Sequence, residues 1–223
     1  LATARQRGCL GLTGHCYEME GAAPYVPFVE CTEQAVRLLP QAARAAMGEE
    51  APEIAAIAPS LRRTYPDLPP LPEVPADQQR RLIFGGYLEY VRRGTQKSPM
   101  VLLLDDLHWA DESTLQLLQH LAPHLATMRL LVVGTYRDVE LDVSRPFAKT
   151  LESLVRQRLA TRIALRRLQE SSVQELLTRM SGSAPPSGLV TAVFRETEGN
   201  PFFVEEVYQH LSEEGKLFDG SGA

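Results

Sequence analysis

The sequence predicts an α/β fold in which a parallel sheet is covered by helices, followed by a small all-helical domain. Three observations carry that prediction. Met100–Leu104 (MVLLL) and Leu130–Thr135 (LLVVGT) are continuous apolar runs of strand length, the pattern of strands buried on both faces. Helical spacing separates the strand-like runs, as crossovers between parallel strands require. Beyond about Gln169 the spacing is helical only.

Residues 1–8 read as the end of a helix closed by Gly8, which suits a C-terminal cap. Cys9–Thr13 (CLGLT) is the first short strand, and Gly21–Pro27 is rich in turn formers. Phe28–Met47 carries helical spacing through Val29, Val36, Leu39 and Ala43, with Pro40 expected to kink or interrupt it. Residues 48–76 hold seven prolines and read as an irregular surface excursion. Asp77 then caps a helix burying Leu82, Tyr87, Leu88 and Val91, which Gly94 is expected to stop. Asp111 caps another helix through His124, with Leu115, Leu118 and Leu121 on one side. A helix at Pro146–Leu159 leads to a last strand, Thr161–Leu165. Helices at Ser172–Met180, Ser187–Glu198 and Pro201–Glu214 follow, and Ser172 with Glu175 has capping-box spacing. The domains are therefore expected at 1–167 (α/β core) and 168–223 (helical).

A chain of 223 residues is long enough to bury a core without a disulfide or metal staple. Its 23 basic against 28 acidic residues give a net charge of −5, which excludes a polycation and argues against direct nucleic-acid binding by this segment. No apolar run reaches the ~18 residues of a membrane span. The opening LATARQRG lacks the apolar stretch of a signal peptide. Cys9, Cys16 and Cys31 are odd in number and lack C-x-x-C spacing, which points to reduced thiols in a cytoplasmic protein.

The chemistry concentrates in Val101–Asp111, VLLLDDLHWAD. A buried parallel strand ending in Asp105-Asp106 delivers two carboxylates to the C-terminal edge of the sheet, where open α/β folds bind ligands. Adjacent carboxylates there call for a positive partner, and Mg²⁺ on a nucleotide phosphate is the usual one. The plainer alternative is that the pair only ends the strand and caps local amides. His108 and Trp109 read as packing beneath the site.

VLLLDDLHWAD resembles the Walker B segment of the STAND class of signal-transduction P-loop ATPases, and more narrowly the AAA-type ATPase modules of LuxR/MalT-like transcription regulators and cyclase fusions. Three further segments follow the order of that family. Gly14–Glu30 (GHCYEMEGAAPYVPFVE) is similar to its second strand region, Leu130–Leu141 (LLVVGTYRDVEL) to its fourth strand and sensor 1, and Glu198–Val207 (EGNPFFVEEV) to the start of its helical lid. The resemblance implies ATP or ADP with Mg²⁺ as cofactors. It implies that Asp105 holds the ion and that Asp106 acts as base or orients water. Arg137 becomes the sensor near the γ-phosphate, with Gly199, Asn200 and Pro201 against the base. Arg137 also reads as a surface arginine, and Pro201 as the first residue of a helix capped by Asn200.

The resemblance has a gap. No G-x-x-x-x-G-K-[S/T] run occurs in the 223 residues. The expectation is a P-loop NTPase-like core with its first strand and P-loop absent, cut within the helix that follows them, and cut again near Gly215–Phe218, which resembles the run into a winged-helix domain. Such a segment is expected to bind nucleotide weakly or not at all and to be inactive alone, while the parent acts as a slow, regulatory ATPase switch. Its expected partners are flanking sensor and effector domains. Strands 130–135 and 161–165 would lose a shared neighbour, which predicts self-association. Seven Lys or Arg against one acid between Arg145 and Arg167 read as a solvated face or an arginine finger from Arg156 or Arg158. Two alternatives stand beside the switch: a non-catalytic scaffold with a degenerate NTPase fold, and a metal-dependent hydrolase using Asp105, Asp106, His108 and Asp111.

Overall fold

A computed structural model describes residues 1–18, 23–137 and 145–213. The chain divides into two compact units, Leu1–Thr161 and Arg162–Ala223. The division falls between 161 and 162, against 167 and 168 expected from the sequence.

The first unit opens with α1 (Ala2–Gln6), closed by Gly8 at φ 75°. Strands β1 (Leu10–His15), β2 (Met100–Asp105) and β3 (Leu130–Gly134) form one parallel sheet in the order β1-β2-β3. Leu10 pairs with Met100 and Met100 with Leu130, so the strands start level and His15, Asp105 and Gly134 finish at one edge. The fold is thus the parallel α/β architecture of P-loop proteins, flanked by helices and followed by a helical unit.

Side chains alternate across the pleat. Leu10, Leu12, Leu102 and Leu104 share one face, and Leu12, Leu102 and Leu104 join the buried core. Helices α2 (Val26–Leu38), α3 (Pro40–Met47) and α6 (Ala76–Lys97) contribute Phe28, Val36, Met47, Tyr87 and Val91 to that core. On the other face a Gly11 side chain would meet Leu1, which places the N-terminal residues over β1. The rest of that face, Val101, Leu103, Leu131 and Val133, is less covered, with Leu131 57% exposed.

Several elements depart from expectation for identifiable reasons. At Pro40 the helix is interrupted, the second of the two expected outcomes, and a new one starts, since a proline at the first helical position leaves no N–H unpaired. The proline-rich stretch is irregular and mostly exposed over residues 65–75, as expected, but ahead of that it folds into α4 (Ala51–Ile57) and α5 (Leu61–Thr64), whose Ile54, Ile57 and Leu61 are buried. Apolar residues three and four apart outweigh the prolines there, because Pro52 sits in a first turn. Gly94 does not end α6, which runs on to Lys97. A β-carbon at Gly94 would lie 2.7 Å from Met100 Cε, so the glycine admits that side chain. Helix α7 (Glu112–Leu121) stops ahead of Pro123, and the chain continues as a 3-10 turn over Ala122–Thr127. Helix α8 (Arg145–Arg156) closes the unit.

The expected strand Thr161–Leu165 does not form. Residues 160–168 are irregular, with Ile163 and Leu165 78% and 93% exposed. A strand exists only through a ladder, and among the described residues the outer edge of β3 has no neighbour.

The second unit packs α9 (Glu170–Ser181), α10 (Ser187–Thr197) and α11 (Pro201–Glu213) around Val173, Leu177, Val190, Val193 and Val204. Gln169, not Ser172, occupies the N-cap of α9, so the expected capping box is not used. Gly21–Ala22, Asp138–Leu141 and Gly215–Phe218, named from the sequence, lie outside the described residues. Among those described, no helix is long and apolar enough to cross a membrane.

Candidate functional site

The level ends of the strands create the site. Asp105 is the last residue of β2, opposite His15 on β1. The hydroxyl of Thr135, the first residue after β3, donates to Asp105 Oδ1. The same hydroxyl oxygen accepts the Asp106 backbone N–H at 3.0 Å. One threonine therefore fixes both the first carboxylate and the turn that carries the second. Asp106 adopts the left-handed conformation, φ 57° and ψ 44°, which aspartate and asparagine tolerate better than most residues. That conformation turns the chain sharply out of the strand into a short 3-10 turn, Leu107–Trp109.

Asp106 is half exposed, while the His108 side chain is wholly buried with its Nδ1 3.8 Å from Asp106 Oδ1. Neither ring nitrogen of His108 has a hydrogen-bond partner among the described residues. At the end of β1, Glu30 on α2 accepts the His15 backbone N–H at 3.0 Å and pairs with its Nδ1 at 2.8 Å. Glu30 also accepts the Tyr17 hydroxyl at 2.8 Å, and this bond raises the tyrosine pKa. Asp111 caps α7 through the Thr114 N–H at 3.0 Å and takes the Tyr25 N–H at 3.3 Å, tying α7 to the start of α2.

The buried thiol of Cys16 registers the charge of this edge. Its pKa is pushed up to about 12, first by burial and then by the carboxylates of Asp111, Asp106, Glu30 and Asp105. A negative field of this kind favours a cation. Asp105 Oδ1 is committed to Thr135, and no hydrogen bond engages its other oxygen among the described residues. No three His, Cys, Asp or Glu side chains converge as a metal cluster among those residues. One or two carboxylates without a protein cage fit Mg²⁺, which takes its other ligands from phosphate and water. They do not fit zinc, which asks for three or four protein ligands. Asp111 is spent as a cap and His108 lies beneath the turn, so the four-residue hydrolase set is not assembled.

Arg137 is exposed, three residues past the end of β3. In the second unit, Asn200 Oδ1 accepts the Phe202 N–H at 3.1 Å, so Asn200 caps α11 with Pro201 at its first position. Gly199 has φ 73°, and its carbonyl accepts the Leu168 N–H at 2.7 Å. These three residues thus have structural work of their own beside any contact with a ligand.

The model of the AAA ATPase domain family matches residues 1–133, more than half of the chain. The chain belongs to the AAA ATPase domain family. This AAA ATPase domain is accordingly a nucleotide-binding module of the ATPase type, and the matched stretch contains Asp105 and Asp106 but ends ahead of Thr135, Arg137 and the 199–201 segment. No curated protein and no solved structure matched the chain.

Thr135 and the His15–Glu30 pair are the site residues that motif reading passes over. A threonine directly after a buried strand, level with the acid pair on its neighbour, is the signal that would have found Thr135. Thr135→Val keeps the shape and removes the hydroxyl. It is expected to cost the first unit about 1–2 kcal/mol, the range for a partly exposed hydrogen bond to a charged group plus a stranded amide. Thr135→Ser should restore most of it, read from urea midpoints. Equal stability of the valine variant would show that the Asp105–Thr135–Asp106 link carries no weight.

Proposed function

We propose that this AAA ATPase domain is the core of a STAND-type signal-transduction switch, with Asp105-Asp106 as its Walker B acids. The observation that carries the reading is the pair of carboxylates presented at the carboxyl edge of a parallel sheet in an AAA ATPase module. In this reading Asp105, oriented by Thr135, holds Mg²⁺ on the phosphates of ATP or ADP. The ion supplies charge neutralisation at the transferred phosphoryl group. Asp106, half exposed on its left-handed turn, orients the attacking water. Arg137 supplies a cation that senses the γ-phosphate, and Gly199, Asn200 and Pro201 contact the base. The difference between ATP and ADP then biases two states of a larger regulator, whose sensor and effector domains are the partners. Self-association of this segment belongs to the same reading, as does the absence of direct contact with nucleic acid.

The 223 residues contain no lysine cradle for the phosphates, so the chain alone should hold nucleotide weakly. Mn²⁺ with ATP provides the test, because paramagnetic broadening detects weak occupancy at a defined place. ATP-dependent broadening is expected at the amides of residues 105, 106 and 135, and its loss is expected in Asp105→Ala. Micromolar binding that survives Asp105→Ala would overturn the site. ATP-dependent broadening at other amides with none at residues 105, 106 and 135 would overturn the site and favour the alternative, a non-catalytic scaffold that keeps the NTPase fold.

A further inference from the structure

Protein interiors pack densely and seldom leave a void much larger than a water molecule. The first unit departs from this with a cavity of about 190 Å³ between the β1–β2 face and helices α2, α3 and α6. Its floor is Leu12 and Leu102, both buried. The void arises because small residues meet there from three helices: Ala35 on α2, Ala43 and Ala46 on α3, and Gly94 on α6.

The wall decides what could occupy it. The Thr32 hydroxyl donates to the Phe28 carbonyl at 2.8 Å and lies 3.2 Å from the Tyr87 hydroxyl, so these polar groups are already engaged. Burial pushes the Cys31 thiol up to about 12, which keeps it uncharged. Tyr90, itself buried, adds ring surface to the wall. No buried charge lines the space. Lys97 borders it but is exposed, as is Leu39 at the corner between α2 and α3, which marks the mouth.

We infer that this cavity is a binding site for a small uncharged hydrocarbon ligand, aromatic or aliphatic. An apolar cavity of roughly 150 Å³ stays dry and takes up benzene. The present one has room for a slightly larger molecule. The site lies among α2, α3 and α6, apart from the acid pair at the strand ends, and the inference does not depend on nucleotide binding.

Toluene is the probe and benzoate its charged counterpart, each titrated into the full 223-residue chain with ¹³C-labelled methyl groups. Toluene is expected to shift the methyl signals of Leu12, Leu102 and Met100 saturably and to raise the melting temperature, while benzoate does neither. Ala43→Leu fills the void from α3, and it is expected to remain folded and to lose the toluene response. Ala35→Val serves the same purpose should the leucine variant fail to fold. No saturable shifts in the parent chain, an unchanged response in a folded filled variant, or a stronger response to benzoate would each overturn the inference.

Discussion

Replacing Gly14 with alanine is expected to destabilise the α/β unit by about 3 kcal/mol, the upper part of the usual range for overpacking. Gly14 lies in β1 opposite Leu104, and a β-carbon there would overlap the carbonyl oxygen, carbonyl carbon and Cα of Pro27 in the first turn of α2. All three are backbone atoms, so no rotamer change relieves the overlap. Either α2 lifts from the sheet or β1 bends away from β2, and both open the packing around Phe28, which is 1% exposed. The chain has one tryptophan, Trp109, packed against the core of this unit. Its fluorescence during urea unfolding reports the transition directly. A midpoint shift equivalent to less than about 0.5 kcal/mol, the level of a neutral surface change, would show that the β1–α2 approach is slack.

Gly199→Ala is the corresponding change in the helical unit, with an expected loss of about 2–3 kcal/mol. Two costs add. A side chain in the left-handed region costs about 1–2 kcal/mol, and the new β-carbon would overlap the Leu168 carbonyl oxygen. The Leu168 N–H bond to the Gly199 carbonyl, which fastens the incoming chain to the α10–α11 turn, is lost with it. Faster amide exchange at Val173, Leu177 and Val204 with an unchanged Trp109 transition is the expected signature. Unaltered exchange at those amides would refute the structural role. The result also bears on how the proposed nucleotide contact is tested. A Gly199 variant would lose fold before it lost a ligand, so Pro201 is the better residue to substitute.

The sequence made the strands legible because their signal is local. Met100–Leu104 and Leu130–Thr135 are apolar whichever residues precede them, and a run of that length buried on both faces has few other solutions. Thr161–Leu165 carries a similar local signal and forms no strand, since a ladder also needs a partner that composition does not reveal. The first half of the proline-rich stretch misled for the opposite reason. Proline counts imply irregularity, yet Pro52 starts a helix and the Ile54–Ile57–Leu61 spacing buries it. At the candidate site, Asp105 and Asp106 were legible as an acid pair after a strand. The Thr135 hydroxyl and the His15–Glu30 pair were not, because strand register alone brings them to that edge. Asn200 and Gly199 were visible as a motif, but their work as cap and close approach needed coordinates.

The left-handed turn at Asp106 has a consequence for descent. Asparagine tolerates that conformation as aspartate does, and the Thr135 bond is made to the backbone N–H of residue 106, which the exchange does not touch. An aspartate codon becomes an asparagine codon by a change of one base. The carboxylate can therefore vanish from a lineage while the turn, the strand end and the hydroxyl beneath them are inherited intact. Shape and charge are separable heritable traits at this position, a single mutational step apart.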